Sequence, residues 1–246
     1  TEKSLLALGG IYRKLSKNDE AITAYKRLEK SANRKENVRY AVINLMQLYV
    51  EKEDFDNASG YANSVLNGAG LMDENLWQQA KLTLSKKALK NQNYDEAILH
   101  LETLSIAKNI TGAEGKYLMA QAFYLKGEHG KSDTAIYRLV DQVPSFPYWI
   151  AKGFILLADN FIAAEDLYNA RLTYQSVIDN ADNTDLIEIA KDKLRLLNES
   201  EIKKKEIEYA PLEIKLSGGN ENEEKLFELD SVLNKPAKVK EVNDEK

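Results

Sequence analysis

Apolar residues in this chain recur at i, i+3, i+4 and i+7, in stripes interrupted by short polar clusters. Leu5, Leu8, Gly9 and Tyr12 form the first stripe, and that spacing predicts an amphipathic helix. Ser16, Lys17, Asn18 and Asp19 then break it. Asn18 or Asp19 is expected to cap a second helix, whose buried stripe is Ala21, Ile22, Tyr25 and Leu28. The unit reads as helix, short turn, antiparallel helix.

The unit recurs. A small residue follows an aromatic or apolar one at a fixed distance, with a second apolar residue one helical turn further on. The triplets are Tyr12, Ala21, Tyr25; Tyr49, Ala58, Ala62; Ala88, Ala97, Leu101; Phe123, Ser132, Ile136; and Phe161, Ala170, Tyr174. A period of this size predicts a stack of supersecondary units, each covering its neighbour's apolar face. Such a stack favours presenting a surface over catalysis. Asn67-Gly68-Ala69-Gly70 is expected to close the second unit through a left-handed glycine, and Pro144 and Pro147 to stop the fourth.

A further helix is expected from Thr184 or Asp185, with Ile187, Ala190, Leu194 and Leu197 covering the last repeat and fraying near Tyr209. The expected domains are therefore an α-solenoid over 1–209 and a flexible tail over 210–246. Within the tail, a short helix is expected over 223–234, and Leu226, Leu229 and Leu233 on one side of it form a candidate docking motif. The chain opens Thr-Glu-Lys inside a helical pattern, as expected of a processed product or a fragment.

Composition narrows the possible chemistry. The chain has 246 residues, of which 30% are charged, yet the net charge is only −5. That balance gives no electrostatic reason to expect nucleic acid. No apolar run is long enough for a membrane span. With no cysteine, disulfides, thiolate metal sites and cysteine nucleophiles are excluded.

The first repeat resembles the tetratricopeptide repeat. Leu5, Leu8-Gly9, Tyr12, Ala21 and Tyr25 occupy that family's signature offsets, and Leu28 stands where its second alanine would be. The third copy departs from the pattern at Lys81 and Ala88, the fourth at Ser132. The small residues at 21, 58, 97, 132 and 170 are 37, 39, 35 and 38 apart, longer than the family's period of about 34. These stretched copies look like those of Gram-negative envelope proteins, namely outer-membrane assembly lipoproteins and TolA-binding accessory proteins. That resemblance implies a periplasmic or outer-membrane-associated setting and association with a membrane complex.

The resemblance also implies that the first helix of each repeat lines a concave groove for a peptide or partner subunit. Carried across, the ligand-facing offsets fall on Arg13, Tyr40, Gln47, Lys86, Lys90, Tyr117, Gln121, Tyr124, Lys152 and Asp159. Three tyrosines among polar, mostly basic residues suit an extended peptide with acidic groups, although tyrosines at such positions also pack between repeats. The family's carboxylate clamp is not reproduced: Asn44 fits one offset, but Leu6, Gly10, Gln79 and Thr83 occupy the others.

Other motifs read as structural. Gly127 to Ser132 ends in Gly-Lys-Ser, but Leu125 stands where a phosphate loop needs glycine, and a helix precedes it. It is expected to be an inter-helix turn. His100 and His129 lie in different repeats, without metal-ligand spacing, and are expected at the surface. The paired acids Asp54/Asp56 and Asp95/Glu96 recur at equivalent turns, which favours helix capping over acid–base catalysis. No catalytic, metal or cofactor site is predicted. The expected role is a non-catalytic protein-binding scaffold. The alternatives are a regulatory part of a larger enzyme or secretion machine, and a self-association module.

Overall fold

The computed structural model describes residues 1–68 and 73–208, and side chains as far as residue 203. Eleven α-helices account for the described residues: α1 (Glu2–Lys14), α2 (Asn18–Ser31), α3 (Lys35–Glu51), α4 (Phe55–Asn67), α5 (Glu74–Lys90), α6 (Tyr94–Leu104), α7 (Ile110–Leu125), α8 (His129–Val140), α9 (Pro147–Ala163), α10 (Leu167–Asn180) and α11 (Thr184–Glu208). Thr1–Ile202 form one compact unit. Of the second, Lys203–Lys246, only the end of α11 is described. The tail motif Leu226, Leu229 and Leu233 and the expected helix 223–234 lie outside the described residues.

Successive helices pair as five antiparallel hairpins, and each hairpin packs on the next. The spacing read from the sequence marks the tightest points of this stack. Ala21, Ala58, Ala97, Ser132 and Ala170 are all fully buried, and so are Tyr25, Ala62, Leu101, Ile136 and Tyr174 one turn later. The small residue lets the two helices of a hairpin approach, and its neighbour fills the layer between hairpins. Leu186, Ala190 and Leu197 of α11 are buried with Tyr174 and Val177, closing that end of the stack.

At the other end of the described stack, the outer face of α1 is exposed. Leu8 and Ile11 of α1 are exposed, whereas the equivalent Leu45 and Leu48 of α3 are fully buried against the first repeat.

Every hairpin turns in the same way. In the first, the Ser16 amide donates to the Arg13 carbonyl and the Lys17 amide to the Tyr12 carbonyl. The same pair of bonds recurs at Glu53/Asp54, Gln92/Asn93, Gly127/Glu128 and Glu165/Asp166. This is the Schellman closure, which needs one residue in the left-handed region. That residue has φ of 56° at Ser16, 54° at Glu53, 60° at Gln92, 77° at Gly127 and 60° at Glu165.

Some local expectations change. The second helix begins after Lys17, which makes no side-chain cap bond, so neither Asn18 nor Asp19 is its cap. Gly68 ends α4 at φ −70°, not in the left-handed region. Asp54 does cap α4, accepting from the Asn57 amide, and Asp166 caps α10 in the same way. Asp56, Asp95 and Glu96 sit in first turns, where a carboxylate complements the helix dipole. Asp19, Asp56 and Asp95 also reach Lys52, Lys87 and Lys126 of the following repeats. These acids are largely exposed, so each pair contributes little stability.

Gly9 shows how closely a hairpin packs. A Cβ there would sit 2.5 Å from the Tyr25 ring, whereas one at Gly10 would meet nothing within 4 Å. Gly10→Ala is therefore expected to stabilise the chain by about 1 kcal/mol through helix propensity. Gly9→Ala should cost about 2 kcal/mol, because the buried ring has nowhere to retreat. Thermal melts of the two variants, followed by circular dichroism, should move in opposite directions.

Candidate functional site

Besides packing on their own hairpin partners, several first helices meet the first helix of a neighbouring repeat. Contacts join α1 with α3, α5 with α7 and α7 with α9. No comparable contact joins the second helices α2, α4, α6, α8 and α10. The first helices therefore crowd the inner side of the stack's curve, and that side carries the candidate residues.

The structure groups most of these residues around two cavities. The first, of about 260 Å³, is lined by Arg13, Gln47 and Lys86 together with Glu51, Gln79 and Thr83. The second, also about 260 Å³, brings together Tyr117, Gln121, Tyr124, Lys152 and Asp159 with Lys193 of α11. Tyr40 and Lys90 join neither. Tyr40 lies edge-on to Tyr25, with ring centroids 6.0 Å apart, so it packs between the first and second repeats. Lys90 leans away to the α3–α4 turn, donating to the Glu53 carbonyl at 3.2 Å and lying 5.7 Å from the Phe55 ring.

The first cavity is internally satisfied. The Arg13 guanidinium donates to Asn44 Oδ1 at 2.6 Å and Gln47 Oε1 at 2.8 Å, and its other arm pairs with Glu51 at 2.9 Å. Gln47 donates onward to Gln79 Oε1 at 3.0 Å. Asn44 is buried and also donates to the Tyr40 carbonyl at 2.8 Å. Lys86 pairs with Glu114 at 2.6 Å. Arg13 and Lys86 thus act here as inter-repeat staples, since α1, α3, α5 and α7 each contribute a partner.

The second cavity is aromatic and more open in its chemistry. Tyr117 packs against Trp149 at 5.6 Å, and Tyr148 lies edge-on to Trp149 at 5.0 Å. Burial, with Tyr148 and Asp159 nearby, pushes the Tyr117 hydroxyl up to about 12. Asp159 is held from two sides. The buried Tyr174 hydroxyl donates to it, and Lys193 Nζ donates to its two oxygens at 2.8 and 2.9 Å. Burial and that bond to Asp159 raise the Tyr174 hydroxyl well above the tyrosine range.

Both histidines are half-buried rather than at the surface. His129 Nδ1 lies 2.9 Å from Asn160 Oδ1, and its ring meets Tyr124 edge-on at 5.4 Å. Asn160 in turn donates to Ser132 at 2.9 Å and Asp133 at 2.7 Å. Ser132 stands where the other repeats have alanine, and here its hydroxyl accepts from Asn160 within this polar knot. Burial lowers the His100 pKa, and Lys81 lowers it further, against the opposing pull of Glu96. Gly127 to Ser132 is the α7–α8 turn and the start of α8, with Ser132 fully buried. Among the described residues no group of His, Asp and Glu could hold a metal ion, and no helix is long and apolar enough to cross a membrane.

Sequence reasoning missed Lys193, Trp149 and Glu51. Lys193 lies on α11, outside the repeat register. Glu51 lies one turn beyond Gln47, a spacing that would have placed it on the same face.

The architecture is a tetratricopeptide-like α-solenoid. Neither a family model nor a curated protein matches the chain. Among solved structures it is similar to a tetratricopeptide repeat protein from Parabacteroides merdae, with a TM-score of 0.51 and 16% identity. The match covers 80% of this chain and 71% of that one. At that identity the likeness shows the fold.

Proposed function

We propose that this chain is a non-catalytic scaffold whose inner face holds an extended segment of a partner protein or sister subunit. The carrying observation is the second cavity. There, the first helices α7 and α9 and the closing helix α11 converge tyrosines, a glutamine, an aspartate and two lysines on one open recess. Groups that present contact area and hydrogen bonds without a nucleophile–base pair suit recognition better than reaction. The solenoid fold supports the same reading, because stacked repeats present long inner surfaces.

A photo-crosslinking residue at Gln121, in the groove, should trap the partner in cells of the source organism. One at Tyr137, exposed on the outer helix α8, should not. Equal trapping at both positions would overturn the groove reading.

The setting we infer is a bacterial envelope assembly. Its support is the stretched repeat interval, 35 to 39 residues between signature positions, which resembles envelope accessory proteins. Fractionating source cells and probing each fraction for the chain checks this separately, and a purely cytoplasmic signal would refute it.

A further inference from the structure

The cations along the inner face differ in what holds them. Arg13 is tied to Glu51, Lys86 to Glu114 and Lys193 to Asp159. Lys152 stands apart, with no ion pair to it among the described residues. Its Nζ rests instead against three rings, 4.6 Å from the Tyr117 centroid, 5.2 Å from Trp149 and 5.7 Å from Tyr148. Ring faces attract a cation but do not neutralise it. Burial lowers the Lys152 pKa, Lys86 lowers it further, and Glu114 opposes them.

This ammonium borders a cavity of about 260 Å³ whose wall includes Ile155, Leu156, Leu186 and Ile189. The one acid on that wall, Asp159, already accepts from Tyr174 and from Lys193. The recess therefore offers apolar surface beside a cation that no carboxylate pairs with, since Glu114, whose charge acts on Lys152, is itself paired with Lys86. α11 supplies Leu186 and Ile189, so the closing helix completes the recess as well as covering the last repeat.

We propose that this recess takes an acidic residue adjacent to a bulky apolar one in the partner's extended segment. The carboxylate pairs with Lys152 and the apolar side chain fills the cavity. The proposal rests on the groove reading above and specifies its anchor. It accounts for a lysine kept in an aromatic cradle when carboxylates hold the other groove cations. The cradle keeps the ammonium partly dehydrated, so pairing with a carboxylate costs less solvent reorganisation there than at an exposed lysine.

The test is titration of the full chain with acetyl-Glu-Phe-amide and acetyl-Gln-Phe-amide, read by amide chemical shifts. The glutamate peptide should perturb amides of α7, α9 and α11 around Lys152, with an affinity about fivefold above the glutamine peptide. That preference should vanish in Lys152→Met and persist in Lys152→Arg. Equal binding of the two peptides by the parent chain overturns the proposal, whether or not Lys152→Met folds. So does binding confined to the Arg13 cavity, and so does no binding by either peptide. None of these outcomes touches the crosslinking at Gln121, which detects the partner without reference to charge.

Discussion

Gly112→Ala is expected to cost the fold about 3 kcal/mol, the upper end for overpacking a tight site. That corresponds to a fall in melting midpoint of roughly 6–12 °C for a chain of this size. Gly112 lies in the first turn of α7, where its amide donates to Asn109 Oδ1 at 2.9 Å. A Cβ there would lie 2.1 Å from the Ala107 carbonyl oxygen and 2.8 Å from its carbonyl carbon. Backbone, not a flexible side chain, would have to move. That carbonyl is also engaged, because it accepts from Lys116 Nζ at 3.1 Å. Lys116 is 6% exposed, and its other acceptor is Gln142 Oε1 at 2.5 Å. Pushing Ala107 away would leave a buried ammonium with one neutral partner, which adds desolvation cost to steric cost. Gly130→Ala, where a Cβ meets nothing within 4 Å, is the matched control. Thermal melts by circular dichroism should separate the two, and coincident melts would refute the packing argument.

The second large effect is a gain. Ser16, Glu53, Gln92 and Glu165 each hold a left-handed backbone at a hairpin turn. An L side chain there crowds the following carbonyl at a cost of about 1–2 kcal/mol. Glycine removes that cost but gives back about 0.5–1 kcal/mol through a looser unfolded chain. Each exchange to glycine should therefore add roughly 0.5–1 kcal/mol, and the four together about 2–4 kcal/mol. The midpoint should rise by roughly 4–16 °C. The fourth repeat already carries Gly127 at this position, with φ 77°, so Gly127→Ala should move the other way. A quadruple variant that melts with the parent would mean that the turns are relaxed as they stand.

These turns also show what the sequence revealed and what it concealed. The positions 16, 53, 92, 127 and 165 keep the same intervals as the buried small residues at 21, 58, 97, 132 and 170. The small residues were legible because burial constrains size, and all five lie where the spacing predicts. The turn residues were not, because Ser, two Glu, Gln and Gly share no chemistry, only a backbone shape. The groove was half legible. Offsets within a repeat brought Tyr117, Gln121, Tyr124, Lys152 and Asp159 to one cavity. The same offsets could not show that Glu51, Glu114 and Lys193 would occupy Arg13, Lys86 and Asp159. Those partners come from neighbouring repeats or from the closing helix, and their reach depends on side-chain direction rather than position in the register. Tyr40 and Lys90 left the groove for the same reason.

Within residues 1–246, the exposed face of α1 gives the stack a direction. In a chain of units stabilised by their neighbours, a terminal unit has half the interfaces of an inner one. The first hairpin leans only on the second, with Leu8 and Ile11 in water, while the fifth is sandwiched between the fourth and α11. In the 246-residue chain, amide exchange should therefore be fastest in α1 and α2, and opening should propagate from there. In that chain the Arg13 cluster is built on the part that comes apart first, and the Lys152 recess on the part that is held from both sides.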